Sequence, residues 1–161
     1  MDRSWPPPVQ RVASFLGAAA VDATIQEFPG GTPTAEEAAR AAGCQPGRIV
    51  KSLVFVGEPG FVLALVPGDR KADERKVAAA AGSPTVRIAA AKEVVSATGF
   101  EPGGVAPFPQ ASIACALLDH SLLQYAKVWI GAGSEFHMAS LAPVDLQRLA
   151  GARPADLVAS R

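Results

Sequence analysis

Apolar positions along this 161-residue chain change their period repeatedly, and each change predicts an element. Val9, Val12, Ala13, Phe15, Leu16 and Ala19 share one helical face, so a helix is expected over 9–19. Residues 1–8, ending in Pro6-Pro7-Pro8, read as a short leader before it. Residues 24–28 alternate as a strand does, and Pro29-Gly30-Gly31 closes them with a turn. Thr34 stands three residues before Glu37, the spacing of a capping box, and a helix should run from there to Gly43. The β-rich runs 49–56 and 61–66 flank Gly57-Glu58-Pro59-Gly60 and predict a hairpin. Further helices are expected over 73–81, 90–97 and 143–149. Short strands are expected over 85–88, 112–118, 127–130 and 136–141, with 155–159 as a last edge strand.

Several of these strands follow one another without a helix between them, which disfavours a doubly wound parallel sheet. The expected class is α+β, a mixed-sheet barrel with peripheral helices, and residues 1–161 read as one domain without repeat or linker. Hydrophobic residues make up 49% and charged residues 19%, a balance that supports a packed core. Aromatics reach only 6%, so that core must be built of Val, Leu, Ile and Ala.

Charge narrows the function classes. Fifteen basic and fifteen acidic residues give zero net charge, which argues against a protein that coats duplex nucleic acid, so no DNA partner is expected. A grip on one short nucleic-acid end by a few cations remains open. No apolar run approaches the ~20 residues of a membrane span, and the start lacks a signal-peptide core; a cytoplasmic protein with no membrane partner is expected. Cys44, Cys115, His120 and His137 do not form a metal-ligand pattern, and Cys115, inside an apolar run, reads as a buried thiol. No metal and no cofactor are expected.

Three features depart from plain packing. Lys51 interrupts an apolar strand on the face shared by Ile49, Leu53 and Phe55. A strand-end lysine reaching solvent explains this as well as a cation aimed into a pocket does. The loop over 99–109 combines Gly99, Gly103 and Gly104 with Pro102, Pro107 and Pro109. Such a loop can bring exposed backbone N–H groups to a carbonyl or oxyanion, or can be a complex turn. Gly131-Ala132-Gly133-Ser134 follows a strand and can border a site or close a hairpin. Ser134 lacks a nucleophile-elbow setting, and His137 and His120 read as structural. Arg70, Lys71, Arg75 and Lys76 mix with Asp69, Asp73 and Glu74 as a solvated face does. No nucleophile–base–acid set emerges, so an enzyme built on this chain would work by positioning and electrostatics.

The order of these features resembles the YbaK/EbsC family of aminoacyl-tRNA deacylases, relatives of the editing domain of bacterial prolyl-tRNA synthetase. The matching pieces are the 49–55 run around Lys51, the 98–108 loop, and Val128-Trp129-Ile130-Gly131-Ala132-Gly133. The resemblance implies hydrolysis of the ester that joins a mischarged small amino acid, Cys or Ala, to tRNA(Pro). It implies the acceptor end of aminoacyl-tRNA as a partner, with prolyl-tRNA synthetase as a further one. It makes Lys51, Gly103 and Gly104 the catalytic residues, Lys51 holding the aminoacyl-adenosine end and the glycine backbone meeting the substrate carbonyl. Ser52, Gly99, Phe100, Gly131 and Gly133 are its substrate-binding positions. Ser52 and Ala132 depart from common family choices, and Ser52 thereby affects the expected amino-acid specificity. A water, assisted by the substrate's own ribose hydroxyl, is the implied attacking group. The rival readings are a non-catalytic tRNA- or synthetase-binding module and a nucleotide-binding barrel that uses Lys51 on a phosphate.

Overall fold

The computed structural model describes residues 5–161. The first half of the expected leader, residues 1–4, lies outside them. The rest of that leader is not separate, because helix α1 (Pro7–Ala19) begins inside the prolines. Proline has no N–H to leave unpaired in a first helical turn, so Pro7 and Pro8 start the helix instead of blocking it.

Strand β1 (Ala23–Glu27) follows, then helix α2 (Ala35–Ala42). Thr34 Oγ1 accepts the Glu37 N–H at 3.1 Å, as the sequence spacing requires. The expected hairpin forms from β2 (Val50–Gly57) and β3 (Gly60–Pro67). Next come α3 (Glu74–Ala81), β4 (Arg87–Ile88), α4 (Ala91–Thr98), β5 (Ile113–Asp119), β6 (Val128–Ser134) and β7 (His137–Leu141). Helix α5 (Pro143–Ala150) and strand β8 (Ala152–Ala155) complete the order.

Two sheets form. The smaller has the antiparallel order β1-β7-β6; the larger has the order β4-β2-β3-β5-β8, with β5 parallel to both β3 and β8. The α+β class with a mixed sheet and peripheral helices is therefore present. The sheets face one another across the main core, where Val50, Val54, Leu63, Leu65 and Leu118 meet Val128, Ile130, Ala139 and Leu141. Val12 and Leu16 of α1 enter the same core. The opposite face of the large sheet carries Phe55, Val62, Ala64, Val66 and Leu117, covered by Val77, Ala78 and Leu157. Successive residues of β3 thus serve two cores. That is why residues 61–66 are continuously apolar instead of alternating.

Two expectations move. The last strand lies at Ala152–Ala155, not at 155–159, because residues 157–159 turn away to pair with the 71–73 segment. Strand β6 runs on through the Gly131–Ser134 segment, with a shift of register against β7, so these residues form a bulged strand end and not the turn itself. Cys115 is partly buried against the second core and, like Cys44, is unpaired with any other cysteine.

Asp119 ties the end of β5 to the C-terminal segment. Its fully buried carboxylate accepts Leu157 N–H at 2.8 Å and Ser121 N–H at 3.2 Å. Asp119→Ala strands two amide donors and is expected to cost about 3 kcal/mol of stability, measured by urea unfolding. A loss under about 1 kcal/mol would contradict this account of the C-terminal packing.

Candidate active site

Strand β2 has different neighbours along its length. On its outer edge β4 covers only Phe55 and Val56, while at the other end Ile49 makes one parallel bridge to Trp129 of the small sheet. Between these two contacts the sheets diverge, and a cavity of about 390 Å³ opens. Its wall takes Ile49, just before β2, and Val50, Lys51, Ser52 and Leu53 from β2, with Gly131, Ser134, His137 and Met138 from β6 and β7. Gly103 and Val105 come from the loop before β5, and residues 32–35 with Ala38 from the start of α2.

The strand edge faces this gap with its backbone. Val54 O accepts from Ala89 N at 2.9 Å on the β4 side, whereas Ile49 O accepts from Gly68 N at 2.7 Å on the β3 side. A strand directs alternate residues to alternate sides. The Ser52 N–H and C=O therefore point the way Val54 does, but beyond the end of β4, into the gap.

Lys51 is half-buried, and its Nζ donates to Arg70 O at 2.6 Å. Burial pushes its pKa below the ordinary 10.5, against the opposing pull of Glu36 and Asp69. Lys51 is on the cavity wall, with its ammonium tethered by the Arg70 carbonyl.

The glycines divide by location. Gly103 lines the cavity at φ +91°, a left-handed conformation that only glycine adopts cheaply, and its backbone is exposed there. Gly131 also lines it, and a Cβ on Gly131 would overlap Val105 O, so the bare strand is what lets the 103–105 loop lie against β6. Gly104 is off the wall. Its N–H is already bonded to Glu101 O at 3.0 Å, and a Cβ there would meet Ser134 Cα at 2.9 Å. It packs the loop and has no free donor for a carbonyl. Gly133 touches the start of α1, where a Cβ would meet Pro8 C at 2.7 Å. Gly99 ends α4 and accepts from the Arg11 guanidinium at 2.6 Å through its carbonyl. Phe100 is a core residue under that same guanidinium. The structure thus brings Lys51, Ser52, Gly103 and Gly131 together and leaves Gly99, Phe100, Gly104 and Gly133 outside the cavity as packing positions.

His137 and Ser134 are what the sequence reading undervalues. His137 is only 4% exposed and lies on the cavity wall, its ring edge-on to Trp5. Among the described residues, its Nε2 and the Ser52 Oγ are the two buried side-chain polar atoms without a partner, and both residues line this cavity. Ser134 Oγ accepts the Phe136 N–H at 3.0 Å and lies 2.6 Å from His137 Nδ1. With Phe136 N–H on one lone pair, the hydroxyl proton is free to be given to Nδ1, an arrangement that places the ring proton on Nε2. This pair is not a catalytic dyad: the hydroxyl is engaged on both sides, and no carboxylate orients the imidazole. The only sequence signal was the spacing of three between Ser134 and His137, which the register shift turns into contact.

One cluster of ligand-type residues, Asp119, His120 and Asp156, lies elsewhere. Its buried member is spent on Leu157 and Ser121, and Asp156 pairs with Lys76 at 2.9 Å.

Comparison with known proteins decides what the cavity belongs to. The model of the aminoacyl-tRNA editing domain matches residues 30–149, most of the chain and every segment of the cavity wall. The chain belongs to the aminoacyl-tRNA editing domain family. The candidate Cys-tRNA(Pro)/Cys-tRNA(Cys) deacylase EbsC of Enterococcus faecalis is 31% identical over 125 residues, covering 77% of this chain and 76% of that protein. A crystal structure described as a candidate trans-editing enzyme for prolyl tRNA synthetase superposes with a TM-score of 0.90. It is 40% identical and covers 98% of this chain and 100% of that one. The proline–tRNA ligase of Thermotoga neapolitana is 38% identical over 77 residues, 48% of this chain but only 13% of the ligase. This editing domain is accordingly an aminoacyl-tRNA deacylase of the ester-hydrolase class, as its sequence implies. Among the described residues of the domain, no helix is long and apolar enough to cross a membrane.

Two measurements check the geometry. A lysine whose pKa falls on folding weakens the folded state while it is charged, and that deficit closes as pH rises from the folded value toward the ordinary one. Lys51→Met should therefore melt no lower than the parent near neutral pH, with a margin that shrinks toward pH 10.5; a margin that grows with pH would contradict the burial. For the histidine, ¹⁵N spectra of the labelled protein, assigned with a His120→Gln variant, should show a protonated Nε2 and a bare Nδ1 at His137. The opposite tautomer would contradict the role given to Ser134.

Proposed function

We propose that this chain acts in trans, as one editing unit in the cytoplasm, to release a small amino acid such as cysteine or alanine from mischarged tRNA(Pro). The observation that carries the reading is the convergence of a tethered lysine, an open strand edge and a backbone-exposing glycine on one cavity, in a member of the editing family. The names of EbsC and of the trans-editing structure support the choice of tRNA and the proline system.

The Lys51 ammonium keeps two of its three donors after bonding Arg70 O. It holds oxygens of the terminal adenosine and sets the ester beside the strand edge. The Ser52 N–H and the backbone of Gly103 face the ester carbonyl and stabilise the oxyanion as it forms. Water oxygen adds to the carbonyl carbon, and the bond to the ribose oxygen breaks. The substrate's neighbouring ribose hydroxyl relays one water proton to that leaving oxygen, and the amino acid departs as its carboxylate with the second proton passing to solvent. The His137 Nε2–H donates to a substrate oxygen, and Ser52 Oγ receives the α-ammonium. No protein nucleophile is needed, because an ester is already activated and fixed geometry supplies much of the remaining acceleration.

Ile49, Ala38 and Met138, packed together in one apolar cluster, form the part of the wall where the amino-acid side chain sits. A synthetase pocket rejects a smaller apolar amino acid by only ~1–3 kcal/mol per methylene; a second, smaller sieve removes what it admits. The balanced net charge fits a protein that holds only the acceptor end and relies on prolyl-tRNA synthetase for the rest of the tRNA.

The test is hydrolysis of Ala-, Cys- and Ser-tRNA(Pro), with Pro-tRNA(Pro) as control, by the parent and by Lys51→Ala. Selective release of one small amino acid, reduced at least about 100-fold in a folded Lys51→Ala, is expected. Binding of tRNA without release from any member would replace this reading with the non-catalytic accessory module.

A further inference from the structure

The carbonyl that tethers Lys51 lies outside the two sheets. Arg70 belongs to the segment that leaves β3 after Pro67 and precedes α3. This segment is fastened by the C-terminal residues. Arg70 Nη2 donates to Ala159 O at 2.5 Å, and Ala159 N–H donates to Lys71 O at 2.8 Å. Ala72 bridges Val158 antiparallel, and Asp73 N–H donates to Leu157 O at 2.8 Å. The strap is anchored in turn. Leu157 is fully buried with its N–H on Asp119, and Lys76 Nζ reaches Val158 O at 2.7 Å. Residues 157–159 lie beyond the segment matched by the family model, which ends at 149.

We propose that residues 157–159 form a strap that positions Lys51 through the Arg70 carbonyl, with Arg70 as the positioning residue. This rests on the reading of Lys51 as the group that holds the aminoacyl end. A lysine side chain carries about 2 kcal/mol of rotamer entropy, and a half-buried one with no fixed acceptor would sample several directions. The carbonyl, held in place by the strap, selects one. The same bond leaves the ammonium two donors to give to substrate. A misplacement of about 1 Å in such a group costs up to about 100-fold in rate. A strap that only covered the core would change stability without moving Nζ.

Three variants separate these roles: Arg70→Ala, Arg70→Lys, and a chain ending at Val158, which keeps the buried Leu157. Two readouts are taken, the kcat and KM of deacylation and the Lys51 ammonium resonance in ¹⁵N spectra at low temperature, assigned with Lys51→Ala. Arg70→Ala and the truncation should each lower kcat about 10- to 100-fold, with KM moved less. Combined, they should cost little more than either alone, since both release one carbonyl. As a control, Arg161→Ala, which removes only the 3.5 Å pair with Asp69 that the truncation also loses, should keep the parental kcat. Arg70→Lys should recover part of the loss. The ammonium signal, slowed in exchange by its tether, should be lost in the two damaging variants. Folded variants with parental kcat would overturn the proposal, as would a fall in kcat with the Lys51 resonance unchanged. If the parent itself releases nothing, the deacylase reading fails while the resonance still decides whether the strap holds Lys51.

Discussion

The single parallel bridge between Ile49 and Trp129 is the constraint on which this structure turns. It joins the two sheets at one end of β2 and lets them part immediately afterwards, before β4 takes up the edge at Phe55. A fully paired β2 would bury its amides in a ladder and leave no cavity. A β2 unpaired throughout would lose the main core, whose Val50 and Val54 require both sheets. The site exists because, on the edge of β2 away from β3, pairing is satisfied on either side of the Lys51–Leu53 stretch and withheld along it. Backbone donors that a ladder would consume are left for a ligand, which is the arrangement that oxyanion stabilisation needs.

Around that gap the groups are held by bonds to backbone more than by one another. Lys51 is fastened to Arg70 O, His137 is oriented by Ser134, and the 103–105 loop is seated on Gly131 and Gly104. None of these contacts is an ion pair, and the five ion pairs of the described residues lie at the surface. A site so built is rigid without being strongly charged. That suits a reaction in which charge appears only on the carbonyl oxygen at the transition state.

Much of this was legible in the sequence, and the rest was not for physical reasons. The capping box at Thr34, the β2–β3 hairpin and the anomaly of Lys51 are local, and local chemistry specifies them. The division of glycines between cavity and packing depends on which backbone lies opposite each one, and Gly104 and Gly133 are explained only by Ser134 and Pro8 across space. Gly99 and Phe100 sit in the same loop as Gly103 yet serve a helix end and the core, because the chain turns through the molecule between them. His137 was hidden for a similar reason. Its partner is a hydroxyl brought near by a register shift, where a sequence search looks for an acid. Residues 157–159 are a short apolar run that reads as part of an edge strand, and nothing local says that they pair with a loop instead of a sheet.

We propose that the gap between β2 and β6 receives the aminoacyl end. Amide chemical-shift mapping with a non-hydrolysable adenosine, carrying alanine through a 3′-amide in place of the ester, tests it most directly. Shifts concentrated at Lys51, Ser52, Gly103, Gly131 and His137, with Gly99 and Phe100 little changed, are expected. Shifts centred elsewhere, or absent at a concentration where tRNA binds, would contradict it.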